Sequence, residues 1–187
     1  MLIIGVTGKA VSGKSEAAAY LAHEHNFIHL DFTKDLLAPL LEERHRAVTR
    51  KNLVELALEM RKTGGKAALM KKLAENIGAG KGYVIAGIRY PEEVNFMRSR
   101  FPETFRLLAV KCSLQTRYRR TLEIYEVRKK QSGGRDLTFR EFMEMEDLPT
   151  EKIISRTIRM ADFSVTNEGT KKEFYSRLDS IVKRLKV

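Results

Sequence analysis

The residues Gly8-Lys9-Ala10-Val11-Ser12-Gly13-Lys14-Ser15 set two glycines, a lysine and a hydroxyl at the spacing G-x-x-x-x-G-K-[ST]. These types suit an anion with several oxygens. Glycines let the backbone wrap closely enough for successive N–H groups to converge on one phosphate. A helix opening at the loop adds the partial positive charge of its N-terminus. The Lys14 ammonium would then reach the β- and γ-phosphates of a nucleoside triphosphate, and the Ser15 hydroxyl would ligate Mg²⁺. At ordinary residue usage the pattern arises by accident in about 0.6% of chains this long. A glycine-rich turn without a ligand is therefore the weaker reading. Gly8 to Ser15, with Glu16 in the next turn, are the expected nucleotide-binding residues.

Such a loop has to join a buried strand to a helix, and the flanking sequence supplies both. Residues 2–7 are a short apolar run, and the alanine-rich stretch 15–25 reads as a helix. Further strands are expected over 27–30, 83–86, 106–111 and 163–166. Helices are expected over 33–46, 50–61, 66–77, 91–100, 114–130, 139–145, 151–160 and 171–185. The alternation predicts an α/β domain with a mostly parallel sheet. Two helical excursions, 32–79 and 113–159, follow strand C-terminal ends, where ligands bind in open α/β sheets.

A phosphate loop alone does not separate motor, switch and kinase. Motors and GTPases carry a magnesium-positioning Asp at the end of the strand beside the loop strand. Here Tyr83-Val84-Ile85 runs into Ala86-Gly87, and no guanine-reading N-K-x-D is present. Gly5 to Ser15 followed by 27–31 resembles the opening of small P-loop kinases of the nucleoside monophosphate and dephospho-CoA kinase type. Val84-Ile85-Ala86-Gly87-Ile88-Arg89-Tyr90-Pro91-Glu92-Glu93-Val94 resembles the D-G-[IVF]-R-x-P-x-E-V segment of deoxynucleoside monophosphate kinases, with Ala86 where most of them carry Asp. Arg117 to Arg120 with Arg135-Asp136 resembles their arginine-bearing lid. Val165-Thr166-Asn167-Glu168-Gly169 resembles their turn near the adenine.

The resemblance covers nearly the whole chain and is most specific at the loop. It implies a three-layer α/β fold with five parallel strands in the order 2-3-1-4-5, as one domain over 1–187. Residues 32–79 would bind the acceptor, and 113–159 would form a lid. The implied reaction carries the ATP γ-phosphate to a small, phosphate-bearing, nucleotide-like acceptor: a nucleoside or deoxynucleoside monophosphate, or dephospho-CoA. Asp31 would accept a proton or hold a magnesium-bound water; its alternative role is a helix N-cap. Arg89 would grip the acceptor phosphate with its planar fork, and Arg50 is a further acceptor residue or else part of a solvated face. Arg117 and Arg135 would supply lid cations to the transferring phosphoryl group, with Arg120 beside them, and Asn167 and Gly169 would border the nucleotide.

Composition narrows the setting. Hydrophobic residues make up 43% and charged residues 32% of the 187, which marks a globular chain. No apolar run is long enough for a membrane span, and the opening apolar run is too short for a signal peptide. The lone Cys112 excludes an intramolecular disulfide and reads as core, and the four histidines lack metal spacing. A reducing, cytoplasmic location without membrane contact is expected. The net charge of +11 calls for an anionic partner. Nucleic acid fits the charge, yet no nucleic-acid module or aromatic-interleaved basic stretch accompanies it. A nucleotide-dependent regulator, a nucleic-acid-associated ATPase and a catalytically weak ATP-binding protein are the alternatives.

Overall fold

Strand β1 (Ile3–Thr7) is buried at every position, the pattern of a strand covered on both faces. The computed structural model describes residues 1–132 and 136–185. Helix α1 (Lys14–Glu24) follows β1 through the glycine loop, and strand β2 (Ile28–Leu30) follows α1. The first excursion holds α2 (Ala38–Glu43), α3 (Arg50–Gly64) and α4 (Ala68–Leu73). Strand β3 (Tyr83–Ala86), helix α5 (Pro91–Arg100) and strand β4 (Phe105–Lys111) return to the sheet. The second excursion holds α6 (Leu114–Ser132), α7 (Phe139–Glu146) and α8 (Pro149–Arg159). Strand β5 (Phe163–Thr166) and helix α9 (Lys171–Leu185) close the chain.

The five strands form one parallel sheet in the order β2-β3-β1-β4-β5. The order expected from resemblance is thus the one observed. Alternate residues of β1 feed opposite faces. Ile3 packs with Leu41, Leu56, Leu69 and Met97 from α2 to α5, while Ile4 and Val6 pack with Ala17, Leu21, Phe174 and Leu178 from α1 and α9. The pairing Leu30 with Ile85, Val6 with Ala86, Thr7 with Ala109 and Lys111 with Thr166 levels the strand ends. Asp31, Gly87, Gly8 and Asn167 therefore fall along one rim.

The excursions depart from the expected helices in instructive places. The helix expected over 33–46 is a π-helical turn at Thr33–Leu37 followed by α2, which stops at Glu43. Pro39 has no N–H to give the preceding turn, and the Leu37 amide reaches five residues back to the Phe32 carbonyl at 2.9 Å. His45 then takes a left-handed φ of 53° and ends the run. The helix expected over 66–77 is confined to Ala68–Leu73 and tightens into a 3-10 turn at Ala74–Asn76. Helix α8 begins at Pro149, two residues before the expected start, because proline suits a first helical position.

Candidate active site

The loop between β1 and α1 is held open by backbone geometry that only glycine tolerates. Gly13 has φ +102°, and a Cβ there would come 2.2 Å from the Asn167 side-chain nitrogen. It precedes α1 without any side-chain cap, and the first intrahelical bond is Ala17 N–H to the Gly13 carbonyl at 2.9 Å. The amides of Lys14, Ser15 and Glu16 thus lack intrahelical acceptors and form a donor set for an anion. Ser12 lies fully buried, and its hydroxyl has no partner among the described residues.

Asn167, just past β5, ties the far side of the sheet to this loop. Its side-chain amide donates to the Ser12 carbonyl at 2.9 Å, while its own oxygens accept from Arg120 Nη2 at 3.1 and 3.3 Å. Lys14, Ser15, Glu16, Arg120, Asn167 and Gly169 all line one cavity of about 420 Å³. A roomier cavity of about 590 Å³, lined by Met1, His25, Phe27 and Lys81, opens at the opposite ends of the strands, and volume alone does not mark the site. Glu16 lines the loop cavity, but its carboxylate is engaged by Tyr175 and by Lys171 at 3.0 Å. Those two bonds hold its carboxyl below the usual range. Cys112 is half-buried rather than core, and its sulfur accepts from Arg120 at 3.5 Å.

On the other side of the loop, charges gather. Lys14 Nζ donates to the Lys9 carbonyl at 2.9 Å. Burial strips water from this ammonium and Arg89 and Arg117 repel it, against the pull of Glu151, so its pKa falls to about 8. Arg117 is buried and forms a two-point bond with Glu146 at 2.5 and 2.7 Å. Burial alone would raise the Glu146 carboxyl, yet Arg117 and Lys9 bring it below the usual range. Glu146 and Glu151 come from the helices of the second excursion. Both were missed in the sequence, since nothing local links residues 146 and 151 to a loop at 8–15.

Asp31 shows its capping role directly. Its Oδ1 accepts from the amides of Thr33 and Lys34, both at 2.8 Å, and its own amide donates to Asp35 Oδ2 at 2.7 Å. Two strand spacings, about 10 Å, separate β2 from the loop strand. Arg89 follows β3, and its backbone is fixed from two sides. The buried Glu93 accepts from the amides of Arg89 and Tyr90 at 2.9 and 3.1 Å, and Thr157 on α8 donates to the Arg89 carbonyl at 2.7 Å. Burial pushes the Glu93 carboxyl up despite those bonds. Arg61 on α3 lies 3.8 Å from Glu93 and 5.0 Å from the Tyr90 ring centre. Nothing local in the sequence singles it out, since it stands beside Lys62 in the last turn of a helix. Arg50 stands exposed at the start of α3, and no bond of the described residues joins it to the loop. Arg135 lies outside the described residues.

Comparison with known proteins agrees with this architecture. A family model described as an AAA domain matches residues 4–148. The chain is 29% identical over 189 residues to a UPF0200 protein of Methanococcus vannielii, covering 99% of this chain and 97% of that one. It is 28% identical to a UPF0200/UPF0201 protein of Archaeoglobus fulgidus over 99% of its own length, but it spans only 56% of that longer relative. The shikimate kinase of Bacteroides thetaiotaomicron shares the fold over the whole chain and 99% of its own, with a TM-score of 0.61 at 15% identity. The Mycobacterium tuberculosis APS kinase, solved with AMPPNP and APS, does so with a TM-score of 0.51 at 14% identity, over 100% of this chain and 98% of its own.

Proposed function

The chain belongs to the AAA domain family, and on that footing we propose a P-loop kinase that moves the γ-phosphate of ATP to a small, phosphate-bearing, nucleotide-like acceptor. The carrying observation is one cavity that joins the loop residues Lys14 and Ser15 to Arg120, Asn167 and Gly169. The triphosphate would lie on the open α1 amides, with its base toward Asn167 and Gly169. Arg117 and Lys14 would meet the charge that spreads over the transferring group. Arg89 would face the acceptor phosphate, and Asp31 the acceptor's reacting end. The fold that the chain shares with a kinase solved with AMPPNP and APS is in keeping with this reading.

Among the described residues no group of three His, Cys, Asp or Glu gathers to form a ready metal site. The donor set at the loop still suits Mg²⁺, which takes few protein ligands and completes its shell with water and phosphate oxygens. Ser15 would be that ligand, and the ion would neutralise charge on the bridging phosphates. Among the described residues no helix is long and apolar enough to cross a membrane, and a cytoplasmic location is part of the same proposal.

The test is an ATP-consumption screen against nucleoside and deoxynucleoside monophosphates and dephospho-CoA, with an acceptor-free control. Turnover that depends on one of these acceptors supports the kinase. A second reading, a nucleic-acid-associated ATPase, draws on the charge of +11 and on Ala86. Acceptor-independent hydrolysis stimulated by RNA or DNA would favour it.

A further inference from the structure

One carboxylate holds two cations that come from distant parts of the chain. Arg117 on α6, 4% exposed, is gripped by Glu146 through both Nη atoms. The ammonium of Lys9 on the phosphate loop stands 3.5 Å from the same Glu146 and 3.7 Å from Glu151 on α8. Glu151 is itself only 7% exposed, and its Oε2 accepts no hydrogen bond among the described residues; the Arg117 Nε likewise has no acceptor. A buried donor left without a hydrogen bond is costly, and the Arg117 Nε is one that an added acceptor would satisfy. Cations also outnumber carboxylates here: Lys9, Lys14 and Arg117 gather about Glu146 and Glu151, and Arg89, which acts on Lys14, has Glu93 beside it. The cation surplus and the open Arg117 Nε suit an added anion.

The anion can be placed along the phosphate chain. Loop amides and Lys14 serve the β-phosphate. Lys9 lies at the side of the loop covered by α8, and α8 also bonds the Arg89 loop through Thr157. Lys9 and Arg117 therefore lie on the side of the loop where Arg89 would meet the acceptor. We infer that Glu146, backed by Glu151, is a positioning residue that holds Arg117 and Lys9 on the γ-phosphate side of the loop, so that the site tells a triphosphate from a diphosphate. The inference rests on the loop being an ATP site.

Calorimetric titration of AMPPNP and ADP, each with Mg²⁺, into the wild type, Glu146→Gln and Lys9→Gln tests it without any acceptor. The wild type should prefer AMPPNP. Glu146→Gln should lose about tenfold in AMPPNP affinity, the scale of one charge-assisted contact, with ADP affinity changed less than about twofold. Lys9→Gln, at a half-buried loop position, should lose a smaller part of the same preference with a small change in melting temperature. A purely structural role would lower melting temperature and both affinities together, and that outcome overturns the inference. So does an unchanged preference in both variants. Tighter AMPPNP binding by Glu146→Gln also overturns it, because Glu146 would then compete with the phosphate. If the wild type binds neither nucleotide, the ATP reading falls and takes the inference with it.

Discussion

Lys14 is the residue whose proton tells most. Its pKa near 8 means that the free protein loses this charge as pH rises through 8. Phosphate oxygens favour the charged form, so the complex keeps the proton to higher pH. ATP affinity should therefore fall above about pH 8, by up to tenfold per pH unit. Calorimetry at about pH 9, in two buffers of different ionisation heat, should show uptake of close to one proton, and a pH-independent affinity would remove Lys14 from the phosphates. Lys14→Ala should leave a folded protein with turnover reduced by about 10²–10³. Asp31→Asn separates two roles in one side chain. Asn caps about as well as Asp, so the bonds to Thr33 and Lys34 survive, and melting temperature should hold. Turnover should fall much more than ATP affinity; a normal rate would leave Asp31 a cap alone. Arg89→Lys keeps the charge and loses the fork. Acceptor binding should weaken more than tenfold while ATP affinity stays nearly constant. Titrations of each ligand decide it, and the reverse result would put Arg89 on the donor side.

At the scale of elements, legibility follows the range of the interaction. The phosphate loop, β1 and α1 are continuous in sequence, so their spacing announces them before any packing is known. Strand β3 and helix α5 were read with their observed limits because Gly82, Gly87 and Pro91 punctuate them. The π-helical turn escaped notice because Pro39 acts on carbonyls several residues upstream, and hydrophobic spacing carries no trace of that. Glu146, Glu151 and Thr157 were illegible for a related reason. On α7 and α8 they look like ordinary helix residues until those helices dock beside Lys9 and Arg89. Asn167 was legible only through resemblance, and its position makes a prediction. Asn167→Ala leaves the Ser12 carbonyl without its donor, which should cost about 1–3 kcal/mol in stability. Chemical denaturation measures that. Nucleotide affinity should fall as well, since Arg120 loses one acceptor, and a variant with wild-type stability and affinity would show that the loop does not need this anchor.

Across the whole molecule, the surplus of +11 is spread over several elements, with Lys71 and Lys72 on α4, Lys129 and Lys130 on α6, and Lys183 and Arg184 on α9. Dispersed charge attracts polyanions weakly and in a salt-dependent way. Any RNA binding should therefore vanish by moderate salt and leave ATP turnover unchanged; stimulation that persists at about 0.2 M salt, where charges are screened within about 7 Å, would contradict this. The sheet order has another consequence, for how the chain is made. β1 precedes the other four strands in the chain yet ends up in the middle, and its loop is anchored by Asn167, 155 residues downstream of Ser12. At ordinary elongation rates roughly ten seconds or more pass between those two residues. A growing chain thus carries a complete phosphate-binding motif long before it carries a finished pocket. The early intermediate lacks the cavity wall that Arg120, Asn167 and Gly169 supply, so β5 and the turn after it complete a site that the loop begins.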